Sequence, residues 1–397
     1  LSRFEYTYDP LGRRTSMTTT YAPDDERTLQ GYAGTWDYDY DALGQLVAWT
    51  DPTGHHVEYV YDPMGNRLQE IDNGVVMQYV VNKLNQYKSV GGVPYVYDAD
   101  GNLVDVNAGE TTYSYNADNR FTSLASPGES VTYQYDALAQ RYLMEDGAAQ
   151  TIHITDPYGF GNLVGKYSPG DGVLRARHAH GFGLITSYDA PGDPSYFTFD
   201  AAGNTSELSH ASGNVLDWYA FQPFGDARKP FGNGTTNFLF TGEYGVRQEG
   251  PVYHMGARIY DSATARFTSI DPIDILGGDS NLYRYVLNDP VARIDPFGTQ
   301  WYVPYGGGPV VMSPGLPVNP SITIPLPSPP GSDFSLEWPT VEDCDGEGFC
   351  EPRLKWEPSK NPCDYLPPDH PACSVPTGEK RVDLCDLHPQ LCREPEP

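Results

Sequence analysis

One phrase recurs along this chain and limits what it can fold into. It is an aromatic residue, any residue, Tyr-Asp, two more residues and Gly, then a polar and an apolar residue. It reads Tyr6-Thr7-Tyr8-Asp9-Pro10-Leu11-Gly12-Arg13, then Tyr38-Asp39-Tyr40-Asp41-Ala42-Leu43-Gly44-Gln45-Leu46. It returns as Tyr59-Val60-Tyr61-Asp62-Pro63-Met64-Gly65-Asn66-Arg67-Leu68 and as Tyr95-Val96-Tyr97-Asp98-Ala99-Asp100-Gly101-Asn102-Leu103. Looser copies stand at Tyr113-Ser114-Tyr115-Asn116, Tyr133-Gln134-Tyr135-Asp136 and Phe197-Thr198-Phe199-Asp200-Ala201-Ala202-Gly203-Asn204. Roughly 20 residues separate close neighbours, the span of one β-hairpin.

Each copy predicts the same local structure. Alternation such as Glu58-Tyr59-Val60-Tyr61 is a strand of period two. Asp-x-x-Gly is a turn, with Asp bonding the backbone and Gly taking a positive φ. The following apolar residues, such as Leu68 or Leu103-Val104, begin the return strand. A lone hairpin cannot bury its face, so the copies must stack into one long antiparallel sheet that twists and coils. The 41 Gly, 36 Pro and 30 Tyr among 397 residues agree with an all-β chain rich in turns.

The net charge of -28 excludes broad classes of partner. Nucleic acid and anionic lipid call for clustered Lys and Arg, and no such cluster is visible in the sequence. No apolar run approaches the ~20 residues of a membrane span, and no signal peptide is visible. Leu1 to Asp9 already reads as mid-repeat, so the sequence is expected to be the C-terminal part of something longer. All six cysteines (Cys344, Cys350, Cys363, Cys373, Cys385 and Cys392) fall in an acidic, Pro-rich tail. An even number so placed reads as a disulfide framework in an oxidising compartment, with 15 connectivities open. Zinc is the rival reading, but the short Cys-x₂₋₄-Cys knuckles of zinc sites are absent.

The Tyr-Asp-x-x-Gly copies resemble the YD repeats of Rhs proteins, wall-associated proteins, Tc-toxin C components and teneurins. That resemblance covers roughly residues 1–298. It implies repeats that spiral into a hollow β-shell. Residues 238–298 resemble the Rhs repeat-associated core domain. The phrases that carry this are Arg258-Ile259-Tyr260-Asp261, Ala265-Arg266-Phe267-Thr268-Ser269-Ile270-Asp271-Pro272, Asn281-Leu282-Tyr283-Arg284-Tyr285-Val286-Leu287-Asn288-Asp289-Pro290 and Asp295-Pro296-Phe297-Gly298. In the family this segment folds inward and plugs one end of the shell.

In some members the core is also a self-cleaving aspartyl protease, cut just after the second Asp-Pro motif. The resemblance then implies Asp271 and Asp295 as a catalytic pair, with cleavage near Thr299, at Thr299-Gln300. Two carboxyls at contact share one proton, so one stays protonated while the other activates water, and the pair titrates as a unit. Three positions depart from the family pattern: Asp274 stands for a Gly, Thr299 for a Leu and Ala265 for a Gly. An acidic Asp274 beside the pair is expected to perturb its shared proton. The plain alternative is that both Asp-Pro pairs only form turns.

Other motifs are weaker. His178 and His180 alternate onto one strand face, which suits either a metal or an ordinary strand face. His55 and His56 would face opposite ways. Asp98-x-Asp100-Gly101-Asn102 resembles the opening of a calcium loop but lacks the later acid. The residues call for no cofactor and no metal.

The expected order is a shell segment at 1–237, a plug at 238–298, a Pro/Gly-rich linker at 299–332 and an acidic Cys-rich tail at 333–397. The leading functional expectation is the structural shell of a secreted or cell-surface protein that encloses or displays its own C-terminal tail. The alternatives are a toxin precursor whose core releases the tail by aspartyl-type autoproteolysis, with no external substrate, and an adhesin that binds cell-surface carbohydrate or protein.

Overall fold

The computed structural model describes residues 2–21, 32–147, 149–156, 162–189, 192, 194–231, 236–305, 308–311, 334–337 and 353–356. The six cysteines and most of the proposed linker and tail lie outside these residues. The chain divides into two compact units, Leu1–Leu316 and Pro317–Pro397. The proposed borders at 237/238 and 298/299 both fall inside the first. Of the second unit, one antiparallel hairpin is described, Phe334–Glu337 with Arg353–Trp356.

The first unit is an antiparallel meander of 22 strands, from Arg3–Tyr8 to Ala227–Phe231, in which each strand pairs with the next in sequence. Alternation sets its two faces. In Gly34–Tyr40, Trp36 and Tyr38 are buried while Thr35, Asp37 and Asp39 are exposed. Apart from the exposed Tyr8, the strands that precede the Tyr-Asp turns send Tyr inward, and in three of them the phenol finds a backbone acceptor on a neighbouring strand. Tyr40 Oη donates to the Arg14 carbonyl at 2.8 Å, Tyr61 to Leu46 at 2.9 Å and Tyr135 to Phe121 at 2.7 Å. A large ring is thereby buried without orphaning its hydroxyl.

The turns form as the sequence predicts. Asp62 Oδ1 accepts the Met64 and Asn66 amides at 2.8 and 2.9 Å, and its Oδ2 accepts Asn66 Nδ2 at 2.8 Å. Asp98 does the same with Asp100 and Asn102, so the calcium-like phrase is a closed turn whose carboxylate is already bonded. All the Tyr-Asp turns lie on one rim, because successive copies are two strands, or a multiple of two, apart. The sheet also winds back on itself. Arg14 Nη2 donates to the Ala201 carbonyl at 2.8 Å, Tyr6 Oη accepts the Ala201 amide at 3.0 Å, and the Tyr32 and Trp218 rings meet edge-on at 4.5 Å.

The plug caps the rim that carries the Tyr-Asp turns. It contains a four-stranded sheet, Arg247–Glu249, Val252–Met255, Arg258–Asp261 and Arg266–Phe267, with 3-10 turns around it. Its polar side chains take hold of the turns in succession. Asn288 Nδ2 donates to Gln45 Oε1 and the Gly65 carbonyl, and Asn281 Nδ2 to Asn66 Oδ1. Arg266 reaches the Asn85 carbonyl and Asn66 Oδ1. Tyr283 Oη donates to the Gly101 carbonyl at 2.7 Å. Tyr260 and Tyr253 bond the carbonyls of Phe224 and Gly225. Beneath these contacts lies an aromatic core, with the Tyr260 and Tyr285 ring centroids 4.4 Å apart.

Candidate active site

Asp271 and Asp295, separated by 24 positions, meet at one guanidinium. Arg258 Nη2 lies 2.9 Å from Asp271 Oδ2 and 3.1 Å from Asp295 Oδ2. Arg258 is fixed on its strand by further bonds, Nε to the Gly298 carbonyl at 2.6 Å and Nη1 to the Leu282 carbonyl at 2.9 Å, and its guanidinium packs on the Phe267 ring. All three side chains are buried. The sequence reading named both aspartates but missed the arginine between them. Its only signal was its place in the phrase Arg258-Ile259-Tyr260-Asp261.

The peptide after Thr299 is held by Asp295 and lies beside Asp271. Asp295 Oδ1 accepts the Thr299 amide at 3.1 Å and the Gln300 amide at 3.2 Å. On the other side, Asp271 Oδ2 and the Thr299 carbonyl oxygen converge beside Gly277. Each would lie 2.7 Å from a Cβ at that position, so only glycine leaves both in place. A cavity of about 20 Å³ is lined by Arg258, Asp271, Asp295, Thr299 and Gln300, which is room for one water.

The electrostatics come from burial opposed by Arg258. Burial lifts the Asp295 carboxyl to about 6, with Arg258 and the two amides pulling the other way and Asp271 adding to the rise. Burial also lifts Asp271, again against Arg258, and the charge of Asp274 adds to that lift. Asp274 has a φ of 54°, the left-handed conformation that suits the family's Gly, and Ala265 has one of 57° at the other such position. Both departures therefore keep the backbone path that glycine would take more easily.

Nearby Asp289 is pushed up to about 7, by burial first, against Arg293 and the Ala292 amide. A carboxyl whose pKa is higher folded than unfolded favours folding most at low pH, and that contribution is lost as pH rises through the folded value. The contribution of Asp289 to the unfolding free energy should therefore fall between about pH 4 and pH 8, by on the order of 4 kcal/mol. The denaturant midpoint of wild type, measured relative to that of Asp289→Asn, should drop as pH rises across that range. Parallel curves would remove Asp289 from the account.

The remaining sequence candidates are placed as structural groups. His178 and His180 do share the inner face. His178 Nδ1 is paired with Ser187 Oγ at 2.5 Å and His180 Nε2 with the Leu163 carbonyl at 2.9 Å. His55 bonds Asp72 and His56 bonds Thr50. Among the described residues, no helix is long and apolar enough to cross a membrane.

A sheet of Tyr-Asp hairpins, wound back on itself and capped on the rim of those turns, has the fold of a YD-repeat shell. Residues 2–155 match the family described as the teneurin YD-shell. The tRNA3(Ser)-specific nuclease WapA of Bacillus spizizenii is 28% identical over 273 residues, which cover 65% of this chain and 12% of that protein. Toxin protein Tse5 of Pseudomonas aeruginosa is 24% identical over 369 residues, covering 74% of this chain and 26% of that one. The fold is shared with the solved complex TcdB2-TccC3-Cdc42, with a TM-score of 0.60 at 17% identity over 75% of this chain and 17% of that one. The chain thus spans about an eighth to a quarter of the length of these curated relatives.

Proposed function

We propose that this chain is the plugged end of a secreted or cell-surface YD shell that holds a variable C-terminal region, and that its core cuts Thr299-Gln300 once to free that region. The observation that carries the cut is the seating of that one peptide. Its N–H rests on Asp295, and its carbonyl oxygen and Asp271 both border Gly277. Such positioning in a buried site supplies much of the barrier reduction that a slow hydrolysis needs.

In this reading, water adds to the Thr299 carbonyl carbon and gives its proton to one carboxylate. The other carboxyl, in the protonated form that burial favours, passes a proton to the Gln300 nitrogen as the C–N bond breaks. The products are a Thr299 carboxyl and a Gln300 amine. The two acids act as a unit. Arg258 positions both and keeps them from repelling each other. The relatives bear the names of a tRNA nuclease and a toxin, which supports an effector role for the region from 299 onward. The adhesin alternative has no observation of its own.

The test is the intact mass of the purified chain. Wild type should give two species divided near residue 299, and Asp271→Asn and Asp295→Asn should each stay whole. A second reading is favoured by the Arg258 pairing itself, which would also suit a static clasp that keeps the tail attached. A wild-type chain that remains whole after folding sinks the cut and leaves this clasp.

A further inference from the structure

A cavity of about 350 Å³ opens between the capped rim and the plug; Pro296 and Phe297 line it, but neither Asp271 nor Asp295 does. Its walls include Arg120 and Arg141 from the shell and Arg247 and His254 from the plug, with Asn162 and Gln140 beside them. Among the described residues, no carboxylate lines it. One acid stands behind the wall. Glu249 takes Arg141 in two bonds, at 2.6 and 3.0 Å, and Arg247 Nε at 3.2 Å.

That leaves the site with an excess of positive charge in a chain of net -28. Arg141 and Arg247 are both buried, and Glu249 can neutralise only one of them. Arg141 Nε is buried with no hydrogen-bond partner. Arg120 adds a third guanidinium, whose Nη1 has only a long 3.4 Å contact with the Ala139 carbonyl. His254 feels this surplus. Burial and then Arg141 and Arg247 hold its pKa well below the ordinary value, so it stays neutral. Like charges gathered in a low-dielectric wall are costly unless an anion meets them. The cavity is in the size range of small-ligand sites, about 300–1,000 Å³, and guanidinium forks match oxyanions two bonds at a time.

We propose that this cavity binds a small dianionic oxyanion of the phosphate type, held by Arg120, Arg141 and Arg247. Because two of these arginines belong to the rim and one to the plug, the bound anion ties the plug to the shell. Such a ligand binds the folded chain alone and raises its stability by mass action.

The test is a denaturant melt of the full chain with increasing inorganic phosphate, against sodium chloride at matched ionic strength. Phosphate should raise the wild-type midpoint to a plateau, and chloride should not. Arg120→Gln, which leaves the Glu249 pairs intact, should weaken the apparent phosphate affinity about tenfold through one lost charged contact. Arg175→Gln, on an exposed ion pair with Asp171, should respond as wild type does. Arg247→Gln should lose the phosphate increment, and if it fails to fold, Arg120→Gln carries the test alone. An equal rise with chloride, or a wild-type response in Arg120→Gln, overturns the site.

Discussion

Arg258→Met should lower the unfolding free energy by about 4 kcal/mol near pH 8, the usual scale for removing one partner from a buried ion cluster. Methionine keeps most of the aliphatic stem, so the loss comes chiefly from charge and hydrogen bonding. Asp271 and Asp295 would be left facing each other without their shared cation, and the Gly298 and Leu282 carbonyls would each lose a donor. The penalty should shrink on acidification. Both carboxyls are already raised by burial, Asp295 to about 6, and protonation removes their repulsion. Urea midpoints of wild type and variant, compared near pH 8 and pH 5, read both effects. Equal midpoints near pH 8 would show that Arg258 is not what holds the acids in place.

Gly256→Ala should damage the plug by about 3 kcal/mol and stop any cut at Thr299-Gln300, from a residue that touches neither aspartate. Two causes add here. Gly256 has a φ of 49°, which costs an L side chain roughly 1 kcal/mol. A Cβ there would also press on the backbone of Phe297, 2.7 Å from both its Cα and its carbonyl carbon. Backbone cannot rotate aside as a side chain can, and overpacking of this kind costs about 1–3 kcal/mol. Phe297 sits two residues after Asp295 and two before Thr299, so its displacement carries the acid and the peptide apart. Melting and intact mass of the same preparation would check both parts. A variant as stable as wild type refutes the packing account.

What could be read from the sequence follows the range of the forces involved. The Asp-x-x-Gly turns were legible because each one closes within five residues, through contacts such as Asp62 with Met64 and Asn66. Further turns of the same form went unseen because other residues fill the Asp place. At Asn82, the side-chain oxygen accepts the Leu84 and Gln86 amides just as Asp62 does. At Gln222 the backbone alone makes the turn, with Gln222 N–H bonded to the Asp226 carbonyl and Gly225 N–H to the Gln222 carbonyl. Those extra hairpins lengthen the sheet beyond the seven copies that the phrase marks. The meeting of Arg258 with two acids was not legible. Nor was the pairing of Arg141 with Glu249, 108 positions apart. Both depend on where the plug settles against the rim, and no local pattern encodes that.

The one-sided grip of the plug has a consequence for how such a chain can change. On the capped rim the turns at Gly65, Gly101, Gly203 and Gly225 are so closely met that even a methyl group would collide, although Gly12 and Gly44 are open. A Cβ at Gly101 would come 2.7 Å from Tyr283 Oη, and one at Gly225 2.8 Å from the Phe240 ring. On the opposite rim, a Cβ at Gly74, Gly128 or Gly213 would meet nothing within 4 Å. The plug therefore works as a gauge that counts hairpins. Adding or deleting a single repeat between residues 45 and 141 would carry every later turn past its mark, whereas loops on the far rim can lengthen freely. Variation in such a lineage should accumulate on one edge of the wall and be nearly silent on the other.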